Sequence, residues 1–344
     1  MTPSKYGIHR VIEPEGALPQ AALKISNDMN ITSNEILIKV QALNIDSASF
    51  SQIEKAAHGD LETIKSSIMS IVKKHGKMQN PVTGSGGMLI GTIEKIGSDL
   101  INKTDVKIGD KIATLVSLSL TPLKIYSIKN IFKKIDRVEI DGNAILFESG
   151  MCVKLPRDLS ENLALAVLDV AGAPAQISKL VNSGDSVLIL GAFGKSGILC
   201  CYEAKKRVGE NGKVVGLVAF ERDKEALIKT GFCDEVILAD ATNSIEVLDS
   251  SLIANGGKEY DVAINCVNVT NTEMSTILPV KNGGTSYFFS MATSFTKAAL
   301  GAEGVSKDIK LYIGNGYTKG HADIAMNELR ESSLLREIFE KRYA

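Results

Sequence analysis

The stretch Ser186-Val-Leu-Ile-Leu-Gly191-Ala-Phe-Gly194-Lys-Ser-Gly197 decides the fold of the second half of the chain. Its uninterrupted apolar run ends at Gly191, two further glycines follow at intervals of three, and a helical pattern then continues to residue 207. This order predicts a buried parallel strand whose carboxyl end leads into the N-terminus of a helix. Free backbone N–H groups and the helix dipole at such a point favour a bound pyrophosphate.

Each glycine of this turn has a separate physical role in a dinucleotide-binding fold. Gly191 permits the tight bend, Gly194 lets a phosphate approach the backbone, and Gly197 lets helix and strand pack closely. The spacing is weak by itself, and the strand before it and the helix after it strengthen it. We therefore predict a nucleotide-binding turn, against the alternative that the glycines only shape a tight βα connection. The predicted cofactor contacts at the turn are Gly191, Phe193, Gly194, Lys195, Ser196 and Gly197.

Length and composition restrict the class of protein. A chain of 344 residues predicts two domains, and 44% hydrophobic with 23% charged residues is ordinary for a globular protein. A net charge of −1 provides no field that would attract nucleic acid or an anionic membrane. No apolar run approaches about 20 residues, residues 1–10 lack a signal-peptide core, and the five cysteines contain no C-x-x-C pair. We therefore expect a cytoplasmic protein with reduced thiols and a small-molecule partner.

The two halves of the chain have different periodicity. Residues 35–43, 88–96 and 107–116 are strand-like, with a helical insert at 51–75, so residues 1–155 predict a β-rich domain. From residue 156 helices and strands alternate, which predicts a doubly wound parallel sheet. The predicted strands there, besides the run before Gly191, are 213–220, 235–240, 260–268, 283–291 and 309–313. The predicted helices, besides the one after the glycine turn, are 161–168, 224–230, 244–254, 272–278 and 322–342.

A β-rich domain followed by a dinucleotide fold resembles the medium-chain dehydrogenase/reductase superfamily. The resemblance implies an α/β protein with a GroES-like catalytic domain over residues 1–155 and a Rossmann domain over 156–316. It further implies that a helix at about 317–344 returns to the first domain. It also implies a homodimer formed through the edge of the central sheet, with residues 285–291 as the expected edge segment.

Five longer stretches resemble a narrower family, the L-erythro-3,5-diaminohexanoate dehydrogenases of bacterial lysine fermentation. They are residues 44–50, 80–88, 115–122, 166–176 and 314–322. The reaction implied by this resemblance is oxidative deamination of (3S,5S)-3,5-diaminohexanoate to 5-amino-3-oxohexanoate, with hydride transfer to NAD or NADP.

Zinc-dependent members of the superfamily provide an informative contrast. They present a Cys after the first long strand, a His in a Gly-His-Glu segment, and a third Cys or carboxylate before the glycine turn. By the resemblance these positions fall at Asp46, at Gly87 with Met88, and near Ala166. Because zinc is held by about four N, S or O ligands, we expect no metal.

Without a metal, the reaction requires a general base near the nicotinamide, to deprotonate the C3 ammonium and to orient the water that attacks the imine. Asp46 is the first candidate, since it occupies the former ligand position. Asp169 is the second, because a carboxylate within the apolar run 163–172 is expected to have a partner. Glu148 is the third. The alternatives are a turn cap at Asp46, a helix cap at Asp169 and a structural ion pair at Glu148.

Cofactor preference depends on the residues after the second Rossmann strand. An acid normally lies there, about 20 residues beyond the turn, and binds the ribose 2′-OH of NAD. Glu221 is the first acid after this strand and favours NAD, whereas the adjacent Arg222 is suited to the 2′-phosphate of NADP. Cys266 and Asn268 are expected near a cofactor ribose by fold analogy.

Two other functions are compatible with the pattern. One is a zinc-free, NADPH-dependent quinone or enoyl reductase, whose flat neutral substrates have little need for carboxylates. The other is a non-catalytic nucleotide-binding protein on a dehydrogenase fold. Turnover of an amine, a quinone or neither substrate discriminates among the three.

Overall fold

The structure is a computed structural model that describes residues 3–314 and 317–344. The chain forms two compact units, Met1–Glu161 and Asn162–Ala344. Asn315 and Gly316, which belong to one of the resembling stretches and to the predicted boundary at 316, lie outside the described residues.

The strands of the first unit are β1 (Val11–Glu13), β2 (Lys24–Ile25), β3 (Glu35–Asn44), β4 (Met88–Ile96), β5 (Lys111–Thr114), β6 (Leu123–Phe132), β7 (Arg137–Phe147) and β8 (Cys152–Lys154). Six of them form one sheet in the order β6-β7-β3-β4-β5-β8, in which every neighbouring pair is antiparallel. Strands β1 and β2 pair with each other in a separate sheet. Helices α1 (Ser47–Ala56) and α2 (Leu61–His75) lie between β3 and β4. The predicted β-rich first domain is confirmed.

The helical insert predicted at 51–75 is two helices. His58 and Gly59 have φ values of 50° and 76°, in the left-handed region, and this break separates α1 from α2. Asp60 then caps α2 by accepting a hydrogen bond from the Thr63 backbone N–H at 2.8 Å. The apolar side chains of both helices join the core of the sheet, with Phe50, Ile64 and other members buried to 4% exposure or less.

The second unit is a six-stranded, fully parallel sheet in the order β11-β10-β9-β12-β13-β14. Its strands are β9 (Ser186–Leu190), β10 (Lys213–Val218), β11 (Glu235–Leu238), β12 (Tyr260–Asn265), β13 (Val280–Phe288) and β14 (Lys310–Ile313). Its helices are α3 (Glu161–Leu168, whose first residue ends the first unit), α4 (Gly172–Leu180), α5 (Lys195–Val208), α6 (Glu221–Thr230), α7 (Ser244–Ala254), α8 (Glu273–Ile277), α9 (Phe295–Gly304), α10 (His321–Glu331) and α11 (Ser333–Tyr343).

This strand order is that of the Rossmann fold. The order reverses between β9 and β12, and in open α/β sheets ligands bind at the carboxyl ends of the strands at such a point. Residues 187–190 of β9 are fully buried, because parallel neighbours occupy both edges and helices cover both faces. The predicted combination of a GroES-like β-rich domain and a Rossmann domain is confirmed.

Several predicted details of the second unit differ from the structure. Residues 285–291 are not the sheet edge, because β14 pairs with β13 through Thr285 and Lys310, and β14 itself is the edge strand. The single terminal helix is two helices, since Ser332 leaves the helical conformation and caps α11 at the Leu335 N–H, 3.2 Å away. These helices contact α4 and α5 and belong to the second unit, whereas the resemblance implied their return to the first. Helix α9 has no counterpart among the predicted elements.

Two carboxyl groups meet where α5 packs against α10. Glu203 and Glu328 are each 1% exposed, and both carboxyl oxygens of Glu328 lack a hydrogen-bond partner among the described residues. Lys206 and Arg207 pair with Glu203 at 3.5 and 2.7 Å. Burial, reinforced by the negative charge of Glu203, raises the pKa of Glu328 well above its usual value. The protonated form of Glu328 is therefore favoured in the folded protein.

In residues 3–314 and 317–344, no single helix has the length and apolar composition needed to cross a membrane, and α3 with α4 meets that test only as a pair bent by 50°.

Candidate active site

The glycine turn joins β9 to α5, and the three glycines meet different constraints. Gly191 has a φ of 75°, and a Cβ there would lie 3.2 Å from the Cys266 carbonyl carbon. A Cβ on Gly197 would lie 2.0 Å from the Gly191 carbonyl oxygen, so only glycine lets α5 pack this closely on the turn. Gly194 has an ordinary φ of −72°, and its Cβ would meet only the Gly191 oxygen, at 3.2 Å. Gly191 and Gly197 are therefore required by the fold, whereas the lack of a side chain at Gly194 leaves the backbone open to a ligand.

The N-terminus of α5 has the properties of an anion site. Gly194 is its N-cap residue and provides no side-chain cap, and no acidic residue lies in the first turn. Lys195 and Ser196 are the first two helical residues. Over 14 residues the aligned peptide dipoles place a partial positive charge at this end. The residues present thus fit the pyrophosphate of a dinucleotide.

Arg342 of α11 lies against this turn. Its Nη1 donates a hydrogen bond to the Phe193 carbonyl at 2.9 Å, and its guanidinium carbon lies 4.5 Å from the centroid of the Phe193 ring. The side chain is exposed, and Tyr343 contributes a second aromatic contact at 5.2 Å. The end of the chain therefore adds a fixed positive charge to the glycine turn.

Asp46 is the N-cap residue of α1. Its Oδ1 accepts a hydrogen bond from the Ser49 backbone N–H at 2.9 Å. Its Oδ2 is buried and has no hydrogen-bond partner among the described residues. A buried carboxylate oxygen without a donor is unfavourable, and a substrate ammonium would satisfy it. The predicted alternative of a turn cap thus accounts for one oxygen and leaves the other available.

Three of the resembling stretches meet around Asp46. The first contains Asp46 itself, and the second reaches it at Gly87, where a Cβ would lie 2.7 Å from the Asp46 backbone nitrogen. The Thr83 and Ser49 hydroxyls of these two stretches are 2.5 Å apart. The third is joined to the second by a hydrogen bond of 2.8 Å from the Leu118 N–H to the Gly87 carbonyl. Segments far apart in sequence thus meet near Asp46, whose Oδ2 has no hydrogen-bond partner among the described residues.

The chain is similar to known proteins over nearly its whole length. Residues 9–156 match the family described as the L-erythro-3,5-diaminohexanoate dehydrogenase N-terminal domain. The chain is 70% identical over 339 residues to L-erythro-3,5-diaminohexanoate dehydrogenase of Acetoanaerobium sticklandii, covering 98% of both chains. It is 66% identical over 339 residues to the protein of the same name from Fusobacterium nucleatum, again covering 98% of both.

The chain belongs to the L-erythro-3,5-diaminohexanoate dehydrogenase family. This is a family of oxidoreductases.

Solved structures similar to this member of the diaminohexanoate dehydrogenase family are more distant in sequence. The CurK enoyl reductase gives a TM-score of 0.55 at 16% identity, with 90% of this chain and 82% of that chain covered. Escherichia coli quinone oxidoreductase, complexed with NADPH, gives 0.53 at 16% identity, with 91% and 84% covered. At this identity the likeness shows the fold alone.

The other two carboxylates predicted as bases have partners in their own units. Asp169 Oδ2 lies 2.7 Å from Lys195 Nζ, so it neutralises the first residue of α5. It does not cap α4, whose N-cap residue is Ala171. Glu148 is exposed and lies 3.7 Å from Lys103, with Asn34 at 3.4 Å, which is the ion pair that the alternative predicted.

The residues predicted to contact the rest of the cofactor lie at the carboxyl ends of the Rossmann strands. Glu221 is the first residue of α6 and, like Arg222, is exposed. Cys266 directly follows β12, its N–H bonds the Leu190 carbonyl at 3.0 Å, and its Sγ lies 3.8 Å from that of Cys200. Asn268 is exposed two residues further along. The strand predicted over 260–268 ends at Asn265, so Cys266 and Asn268 lie in the segment that follows it.

His321 is the first residue of α10 and is 3% exposed. Burial lowers its pKa, and the Tyr317 ring packs against it edge-on at 5.4 Å. In the part of the chain that the structure describes, no three His, Cys, Asp or Glu side chains form a group able to hold a metal ion.

Two features of the site were missing from the sequence predictions. The contact of Arg342 with Phe193 spans 149 residues, and the sequence near the chain end contains no signal for it. The Lys195–Asp169 pair was visible only as two charges in separate segments, although a carboxylate in an apolar run did indicate that a partner exists.

Proposed function

We propose that the chain catalyses NAD(P)-dependent oxidative deamination of L-erythro-3,5-diaminohexanoate, the (3S,5S) isomer, to 5-amino-3-oxohexanoate. The substrate ammonium form, the oxidised cofactor and water give the ketone, the reduced cofactor, ammonium and one proton. The sequence identity of 70% over nearly the whole chain supports this substrate, because the relative is named for its action on 3,5-diaminohexanoate. The observation that carries the chemistry is the buried, unpartnered Oδ2 of Asp46.

Asp46 is proposed to act on the C3 amine. Its carboxylate binds the ammonium form, accepts one proton from it and so releases the nitrogen lone pair that expels the hydride. When bound, the nicotinamide cofactor accepts that hydride from C3. The carboxyl group then orients the water that attacks the resulting imine carbon, and ammonia departs. Because Oδ1 remains bonded to the Ser49 N–H, Oδ2 stays fixed in direction through these steps.

The cofactor is proposed to bind along the carboxyl ends of the Rossmann strands, with its pyrophosphate at Gly194 and the α5 N-terminus. Arg342 contributes positive charge there, whereas the charge of Lys195 is paired with Asp169. We propose NAD as the preferred form, because the carboxylate of Glu221 at the start of α6 repels a 2′-phosphate. NADP is the alternative, supported by the neighbouring Arg222.

The reaction is proposed to need no metal. Two of the positions that provide zinc ligands in relatives are occupied by Asp46 and Gly87, and glycine has no side chain with which to bind a metal. Activity after exhaustive chelation should equal that of untreated enzyme. Loss of activity that added zinc restores would refute this part.

The working form is proposed to be a cytoplasmic homodimer. All five cysteines are free thiols, in keeping with a reducing compartment. Among the described strands, β14 pairs with β13 alone, so its outer edge is available to a second copy, and Tyr312 and Ile313 on it are 42% and 47% exposed. Light scattering on the purified protein would give the mass of a dimer, and a monomer mass would refute the assembly.

The test of the function is formation of NADH and ammonium from 3,5-diaminohexanoate by the purified chain. We expect one ammonium per NADH and no oxidation of simple alcohols. Absence of turnover with the diamino acid, together with NADPH-dependent reduction of quinones, would overturn the proposal in favour of a reductase.

A further inference from the structure

A polar pocket of about 260 Å³ lies at the carboxyl ends of β13 and β14, apart from the glycine turn. It is lined by Gln176, Tyr287, Tyr312, Ile313, Gly314 and Tyr317. Two of the five stretches that resemble the diaminohexanoate dehydrogenases, 166–176 and 314–322, meet here. The Thr318 hydroxyl joins them by donating a hydrogen bond to Gln176 Oε1 at 2.8 Å.

Two hydrogen-bond donors on this pocket have no partner within the described residues. Because Thr318 occupies the oxygen of the Gln176 amide, the Nε2 hydrogens of that amide remain to be satisfied. Tyr287 is 1% exposed and its hydroxyl makes no hydrogen bond to another described residue. Burial raises the pKa of Tyr287, so its hydroxyl stays protonated and able to donate. The described residues that line the pocket include no carboxylate, so its unmatched groups suit an acceptor.

The position of the pocket relates it to the reacting end of the cofactor. A Rossmann sheet consists of two mononucleotide-binding halves, and the acid after its second strand binds the adenine ribose. The half that contains β9, β10 and β11 therefore takes the adenosine side, and the half that contains β12, β13 and β14 takes the nicotinamide side. A substrate group close to C3 belongs on this second half.

We propose that Tyr287 and Gln176 hold the carboxylate of the diamino acid substrate, an inference that rests on the proposed function. The substrate contains two ammonium groups and one carboxylate, which is two bonds from the reacting C3. A phenol and an amide N–H suit the carboxylate. Specificity for an amino acid over a simple diamine would then reside in the Rossmann unit.

The test compares 3,5-diaminohexanoate with 2,4-diaminopentane, which keeps both amines and lacks the carboxylate, at saturating NAD. Tyr287→Phe should lower kcat/KM for the acid about 10- to 100-fold, the usual effect of losing a hydrogen bond to a charged group, and leave that for the diamine unchanged. Gln176→Glu should lower turnover of the acid further, because it sets one carboxylate against another, and should not lower turnover of the diamine.

Tyr260→Phe is the matched control. It removes a phenol buried in the neighbouring strand β12, whose hydroxyl donates to the Ser251 carbonyl at 2.7 Å. It should lower Tm without changing the preference for the acid. Calorimetry and NADH fluorescence titration of each variant show whether fold and cofactor affinity are retained.

Two outcomes would overturn the inference. If Tyr287→Phe lowers kcat/KM equally for the acid and the diamine and also weakens NADH binding, the pocket binds the nicotinamide. A wild-type enzyme that shows no preference for the acid would mean that the carboxylate is not recognised at all. Wild-type protein that oxidises neither compound would instead refute the proposed function, and this inference with it.

Discussion

Replacement of Asp46 by asparagine separates the two roles of this carboxylate. The introduced amide would keep an oxygen at the Oδ1 position, where Asp46 accepts the Ser49 N–H at 2.9 Å in the native protein. Asparagine and aspartate are about equally good N-caps, so α1 should remain intact. The buried Oδ2, which has no partner among the described residues, would become an amide nitrogen that can neither accept a proton nor bind an ammonium.

The expected magnitudes of the two effects differ widely. Loss of a general base lowers the rate by about 10²- to 10⁴-fold, or roughly 3–5.5 kcal/mol in the activation free energy. Because the helix cap is retained, the free energy of unfolding of Asp46→Asn should differ from that of the native protein by no more than about 0.5 kcal/mol, which is at most a few degrees in Tm. Asp46→Ala would lose both oxygens and should add a loss of about 1 kcal/mol of stability to the same fall in kcat.

The assay is steady-state NADH formation from 3,5-diaminohexanoate between pH 6 and 10, with NADH affinity measured by fluorescence. Asp46→Asn should lower kcat, flatten the acid limb of the pH–rate profile and leave NADH affinity unchanged. Asp169→Asn is the control carboxylate, since Asp169 already pairs with Lys195 at 2.7 Å. If Asp169→Asn loses kcat and Asp46→Asn retains it, Asp169 is the base. A change confined to KM in Asp46→Asn would make Asp46 an ammonium-binding residue only.

Five more substitutions test the second unit. Gly194→Ala should weaken cofactor binding several-fold with little change in Tm. Gly197→Ala should lower the free energy of unfolding by about 1–3 kcal/mol, because its Cβ would lie 2.0 Å from a carbonyl oxygen. Equal Tm values for the two variants would contradict these roles. Glu221→Ser should shift preference toward NADP by up to roughly 30-fold, the equivalent of about 2 kcal/mol of lost repulsion, and an unchanged NAD/NADP ratio would show that the ribose is recognised elsewhere. Arg342→Ala should raise the cofactor Kd, and more at low salt than at high salt, as expected for an exposed charge; an unchanged Kd would leave Arg342 a purely structural residue. The pKa of Glu328 is raised in the folded state, so its contribution to stability is fully present below the unfolded pKa and is lost as pH rises toward the folded pKa. The free energy of unfolding should fall by up to about 1.4 kcal/mol per pH unit in that range. Glu328→Gln should therefore flatten the dependence of Tm on pH, and an unaltered profile would refute the raised pKa.

Local patterns in the sequence predicted the features that depend on local physics. The apolar run of β9 and the glycines after it specify a buried strand and a turn without reference to distant residues, and both are present. The break between α1 and α2 was missed, although Gly59 followed by the N-cap residue Asp60 is a usual signal for the end of one helix and the start of the next. Helix α9 was missed because small residues fill much of it, so its apolar face is weak.

Features that depend on distant partners were beyond the sequence. An amphipathic terminal helix shows which face is apolar, and it does not show whether that face covers α5 or another element. The predicted sheet edge at 285–291 was wrong for the same reason, because which strands pair is decided by tertiary contacts, and the edge strand is β14. The resemblance located Asp46, and a cap was foreseen there, but the unpartnered Oδ2 depends on atoms from several segments.

The conformation at Gly87 links the carboxylate of Asp46 to the loss of the zinc-ligand pattern. Gly87 has a φ of 97°, and a Cβ there would lie 2.1 Å from the Asn44 carbonyl oxygen and 2.7 Å from the Asp46 nitrogen. A histidine at this position would therefore be strained in its backbone and would collide with the strand that delivers Asp46. The same close approach holds Gly87 against the backbone of Asp46, the N-cap residue of α1. In this backbone a side chain at residue 87 is disfavoured, so the segment that meets Asp46 offers no metal ligand at this position.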